Sequence, residues 1–302
     1  MPAPPVLFVF VDGVGLGPSG PSNPLSYLDL PAFAALAGGQ RWTAAAEPVR
    51  VERHTFVPLD ATLGVEGLPQ SGTGQAALFT GENAARAHGR HYGPHPPTTV
   101  RAAVEERSLF ARLANALGPE RLAFANPFPE RFFRHVERRG RWTTTTLMAR
   151  AAGVRLRREA DVRLHRAVPA DLTGETWARL FDPALAPISE AESAQRLAAL
   201  AAEHTLVLLE YWLSDKAGHS RDPERAAAVL RSLDRLFAGL LDALPPGALL
   251  LVTSDHGNIE DLSTKSHTRH PVPLVAHGAG AEAFADATSL LDVTPALVEM
   301  LT

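Results

Sequence analysis

The chain has 302 residues, 45% of them hydrophobic, enough to bury a sizeable core in one large domain or in one with a smaller domain attached. It has no cysteine, which excludes disulfides and thiolate metal sites, so any metal must be held by oxygen and imidazole nitrogen. A formal net charge of −4 argues against a general nucleic-acid binder.

In chain order, the apolar run Val6–Val11 reads as a buried strand that stops at Asp12. That opening lacks a cationic leader, and no stretch reaches the roughly 20 apolar residues of a membrane span, so a cytoplasmic protein without a membrane partner is expected. Asp12-Gly-Val-Gly-Leu-Gly17 looks superficially like a dinucleotide turn, but its third glycine comes one residue early and Asp12 would face the pyrophosphate. The next focus is Gly67-Leu-Pro-Gln-Ser-Gly-Thr-Gly-Gln75, where Gly72 and Gly74 let the backbone approach an anion beside Ser71. Pro69 and Thr73 stand where a serine-hydrolase elbow needs glycines, and the P-loop pattern is absent.

Charge then shifts sharply. Residues 85–170 hold 17 arginines and 7 acids, a net of +10, and the remainder holds 12 basic and 26 acidic groups, a net of −14. Arginine clusters suit phosphate recognition because the guanidinium fork can pair two oxygens, although a solvated face explains many of them. Over 92–194 no strong strand runs appear and Pro, Arg and Thr increase, which predicts an inserted cap between the two parts of a core, 1–91 and 195–302.

Beyond the cap, Thr205–Tyr211 reads as a strand leading to Asp215, with His219 one helical turn later on the same face. Asp222–Ala243 has the spacing of an amphipathic helix. Ala248–Val252 reads as a strand ending at Asp255 and His256, and Val272–Ala276 as a further buried parallel strand preceded by Lys265 and His267. Leu291–Leu301 opens with Asp292, Thr294 and Pro295 like a capped helix. Strands alternating with helices predict an α/β fold, a mostly parallel sheet flanked by helices.

Ligands of open α/β sheets gather beyond the carboxyl ends of strands. A lone Asp there is commonly a helix cap and a lone His a surface residue. Three acids and three imidazoles at strand ends are better explained by divalent cations, which relieve the repulsion between neighbouring carboxylates.

Taken together, these segments resemble the alkaline phosphatase superfamily, in the branch of cofactor-independent phosphoglycerate mutase and phosphopentomutase. The motifs are Val11-Asp-Gly-Val-Gly15, Ser71-Gly-Thr-Gly-Gln75, Asp215-Lys-Ala-Gly-His219, Ser254-Asp-His-Gly-Asn258, Thr264-Lys-Ser-His-Thr268 with Pro271-Val-Pro273, and Asp292-Val-Thr-Pro295. The resemblance implies an alkaline-phosphatase-like core with a small inserted cap, and two divalent ions, Mn or Zn with Mg as a further option. It casts Ser71 as a nucleophile that accepts phosphate and also touches a metal. Asp12, Asp255 and His256 then match the ligands of one ion, and Asp215, His219 and His267 those of the other. The expected partner is a small phosphorylated substrate, met by Lys265 and by cap arginines such as Arg131 and Arg134. Gln75 departs from the pattern, since the phosphoglycerate mutases have a histidine there, and the chain is too short for their large substrate domain. A phosphodiesterase or phosphonate hydrolase with the same site, and a non-catalytic metal- and phosphate-binding relative, are the alternatives.

Overall fold

The computed structural model describes residues 3–302. Seven strands form one sheet: β1 (Val6–Val11), β2 (Val49–Val51), β3 (His54–Leu59), β4 (Leu122–Phe124), β5 (Leu206–Tyr211), β6 (Leu249–Thr253) and β7 (Val272–Gly278), in the order β2-β3-β7-β6-β1-β5-β4. The pairs β4–β5, β5–β1 and β1–β6 are parallel, whereas β6–β7, β7–β3 and β3–β2 are antiparallel. The sheet is therefore mixed, and Val272–Ala276, expected to run parallel, runs against β6.

Side chains alternate across a strand, so β1 feeds two cores. Val6, Phe8 and Phe10 meet the helices Ser71–Thr80, Leu109–Leu117, Thr144–Ala151 and Val293–Leu301, while Leu7, Val9 and Val11 meet Glu190–Glu203 and Pro223–Ala243. Burial on both faces is why β1, β5 and β6 carry almost uninterrupted apolar sequence. Phe79 locks the Ser71–Thr80 helix to β1, its ring 5.5 Å from that of Phe10 and 5.8 Å from that of Phe8. Asp222 caps Pro223–Ala243 through bonds from the Glu224 and Arg225 amides.

The cap expected over 92–194 has to be redrawn. β4 joins the main sheet beside β5, and Val104, Phe110, Leu113, Leu147 and Met148 all lie in the core that packs on Phe8. A three-residue strand is too short to read from hydropathy, so this stretch resembled an insertion. Within it only Val162, Ala167 and Trp177, with Phe181 and Leu185 against them, form a small cluster of their own.

Candidate metal centre

β1, β5 and β6 run in the same direction, and their carboxyl ends deliver three acids to one edge. Asp12 directly follows β1, Asp215 lies in the first turn of Leu213–Ser220, and Asp255 comes two residues after β6. His267 reaches this edge because β7 is antiparallel to β6 and so begins where β6 ends. Ser71 is the first residue of its helix, whose Gly74 lies so close to the strand ends that a Cβ there would come within 2.9 Å of the Asp255 carbonyl oxygen. Gly13 (φ +72°) makes the turn after Asp12, and a Cβ on it would sit 2.8 Å from Cβ of Asp215.

His256 occupies the middle of the constellation. Its Nε2 is 3.0 Å from Ser71 Oγ, 3.3 Å from Asp12 Oδ1 and 3.6 Å from Asp255 Oδ2. Its ring stacks on that of His267, centroids 3.7 Å apart. His267 Nε2 lies 3.5 Å from Asp215 Oδ1, and His219 Nε2 lies 3.3 Å from Asp215 Oδ2. Two groups could each hold an ion: Asp12, Asp255 and His256, and Asp215, His256 and His267, with donor atoms inside each group all within 4.8 Å of one another. The first is the expected trio. The second has His256 in the place expected of His219, which instead flanks His267 with its Nε2 3.1 Å away.

These residues fit divalent cations on three counts. Asp12 Oδ1 and both carboxylate oxygens of Asp255 are buried with no hydrogen-bond donor, a costly state for anions unless a cation is supplied. Burial first, then the neighbouring acids, holds Asp12 well above the usual carboxylate range, and burial and Asp215 push Asp255 up to about 7. The imidazoles give the third. His267 Nδ1–H donates to the Pro69 carbonyl and His219 Nδ1–H to the Lys265 carbonyl, each at 2.7 Å, so their Nε2 lone pairs face each other across 3.1 Å. Burial keeps His267 neutral, down to about 4, and also lowers His256. Carboxylate oxygen with neutral imidazole nitrogen is a donor set for divalent cations.

Several supporting residues could not be singled out from sequence. Glu260, 1% exposed, accepts from the Gly15 amide at 2.9 Å, the Asn258 amide at 2.7 Å and His270 Nδ1 at 3.1 Å, and also from the Thr268 hydroxyl. It thereby ties together the loops that carry Asp12, Asp255 and His267. Asn258 Nδ2 donates to Asp215 Oδ1 at 2.6 Å. Glu210, inside the apolar β5, accepts from Thr145 Oγ1 at 2.8 Å and is pushed up to about 7 by burial. Its one visible signal is an acid in an otherwise apolar run. Glu260→Ala strands two buried amides at about 1–3 kcal/mol each, so a loss of roughly 2–6 kcal/mol in denaturant unfolding is expected. An unchanged midpoint would refute the tie.

The expected substrate contacts are placed less favourably. Arg131 stacks its guanidinium 4.4 Å over the Phe181 ring, and Arg134 and the Lys265 side chain are exposed. From Lys265 the site takes the backbone carbonyl.

The sequence profile of the Metalloenzyme superfamily matches residues 185–302, the part that supplies Asp215, His219, Asp255, His256 and His267. Phosphopentomutase of Chromohalobacter salexigens is 34% identical over 121 residues, which are 40% of this chain and 27% of that protein. The chain thus spans about a quarter of the length of this relative. The match in fold extends further. Phosphoglycerate mutase of Leishmania mexicana covers 100% of this chain and 96% of its own, with a TM-score of 0.54 at 14% identity. Cold-active alkaline phosphatase of a Shewanella species covers 98% of this chain and 99% of its own, with a TM-score of 0.53 at 13% identity. At such identities the agreement is one of architecture alone, an alkaline-phosphatase-like α/β fold. No helix among the described residues is long and apolar enough to cross a membrane.

Proposed function

We propose that the chain is a cation-dependent phosphoryl-transfer enzyme that acts on phosphate monoesters through a phosphoserine at Ser71. The observation that carries this reading is the position of the Ser71 hydroxyl, 3.0 Å from the one imidazole common to both cation-holding groups. Asp12, Asp255 and His256 would hold one Mn2+ or Zn2+, and Asp215 and His267, with His219 beside them, the other. Such ions supply Lewis acidity and positive charge for the phosphoryl oxygens and the leaving oxygen.

The chain itself supplies orientation. Ser71 heads a ten-residue helix, and the Ser71 and Gly72 amides have no backbone acceptor among the described residues. Such free first-turn N–H groups, at the positive end of the helix dipole, favour phosphoryl oxygens and the seryl alkoxide. The Ser71 Oγ–P bond forms as the ester P–O bond breaks. The phosphoryl group then passes to water or to a second hydroxyl. Residues 125–189 leave β4 at the same edge of the sheet as the site, and we assign to them the role of covering the substrate.

A panel of monoesters, diesters and sugar phosphates assayed with added Mn2+ or Zn2+ tests this. Turnover of monoesters is expected, with two equivalents of metal bound. Diester turnover with inert monoesters would move the assignment to a phosphodiesterase, and fewer than two equivalents after reconstitution would defeat the two-ion reading.

A further inference from the structure

Gln75 follows Ser71 by four residues in the same helix, so the two side chains share a face, with Gln75 one turn deeper. It is 4% exposed, an unfavourable place for an amide without a polar partner. Its Nε2 donates to Asp12 Oδ2 at 3.4 Å. The other oxygen of Asp12 and both of Asp255 have no conventional donor in contact. Gln75 therefore supplies a donor to one of two neighbouring like-charged carboxylates that burial and mutual repulsion would otherwise drive apart or neutralise.

We propose that Gln75 is a positioning residue for the ion held by Asp12, Asp255 and His256. Its amide N–H engages Asp12 Oδ2, which leaves Asp12 Oδ1 turned toward His256, 3.3 Å from Nε2. An amide is suited to the task because it donates without carrying charge. A lysine or arginine there would take the place of the cation, and an aspartate or glutamate would add to the repulsion. The assignment rests on the reading of this trio as a cation site. It concerns an outer partner that orients ligands rather than a group that touches substrate.

Gln75→Met keeps the length of the side chain and removes the donor. Gln75→His keeps an N–H donor and is assayed at pH 8, where a free imidazole is neutral. Mn2+ binding to metal-free protein is followed by calorimetry, with thermal unfolding of the same samples as the check on folding. Wild type is expected to bind two Mn2+. Gln75→Met should bind one of them about 10-fold more weakly and the other as before, and Gln75→His should stay within about threefold of wild type. If Gln75→Met binds both ions within twofold of wild type, the inference is overturned. Should Gln75→Met fail to fold, Gln75→His decides alone: affinity within threefold supports the role and a tenfold loss refutes it. Wild type that binds fewer than two ions overturns the site reading itself, whatever the variants do.

Discussion

Ser71→Ala is expected to lower phosphomonoester turnover by at least about 10³-fold while leaving both ions bound. The expectation follows from what Ser71 does and does not touch. Its hydroxyl lies 3.0 Å from His256 Nε2, and removing a nucleophile that acts in concert with its surroundings typically costs on the order of 10³ to 10⁶ in kcat. The carboxylates and imidazoles that would hold the ions lie elsewhere in the chain and keep their partners, including Asn258 on Asp215 and Pro69 on His267. Steady-state kinetics alongside metal analysis of the same preparation reads both halves. Turnover within tenfold of wild type would mean that water attacks the ester directly. Loss of metal together with activity would show Ser71 to be needed as a ligand.

Removal of the ions is expected to have the larger effect on stability, and its pH dependence carries a sign. Asp12 and Asp255 are raised, Asp255 to about 7 from an ordinary 3.8, so in metal-free protein they favour folding while protonated. That contribution is complete below about pH 4 and is lost as pH rises toward 7. His256 and His267 are lowered from 6.5 and act the other way, with their contribution present above that pH and lost as pH falls toward about 4. The two trends oppose each other in the metal-free protein, but cation binding combines them, because both carboxylates and imidazoles must be free of protons to bind. The increment from metal should therefore grow steadily from pH 5 to pH 8. Two ions at a hundredfold excess over their dissociation constants add about 5 kcal/mol, since each contributes about 2.7. For a chain of this size that raises Tm by roughly 10 °C or more. Melting curves at pH 5 and pH 8, with and without chelator, measure it. Superimposable curves at pH 8 would exclude a cation from the site.

Much of the site was legible because the chemistry lies beside the most readable elements. Val6–Val11 and Leu206–Tyr211 are buried on both faces, so their apolar runs are unmistakable, and the acids that end or follow them stand out. What escaped reading depends on information that hydropathy does not hold. Strand direction is one case: Val272–Ala276 is equally apolar whether β7 runs with β6 or against it, and only the pairing decides. Length is another, since Leu122–Phe124 is too brief to separate from a loop, and with the rise in Pro, Arg and Thr this made residues 92–194 look like an insertion. The partition of the imidazoles is a third. Spacing sets His219 beside Asp215, and their side chains lie 3.3 Å apart, but that His256 also faces both acid groups depends on a contact between distant segments. Gln75 stood out only as a departure from a family pattern and Glu260 gave no usable signal, because a buried polar residue has its meaning only once its partners are in place.

The reversed direction of β7 has a further consequence for how this centre can change. The connection from Ser254 to Pro271 leaves and rejoins the sheet on one side, and it brings Asp255, His256 and His267 with it. Asp12, Ser71 and Asp215 each arrive on a separate stretch of chain. Grafting that hairpin connection alone would carry three donor groups as a unit, and a length change within it would disturb both trios at once. Lengthening the turn between β2 and β3, by contrast, alters a hairpin of the outermost pair of strands, which contributes no donor to either trio.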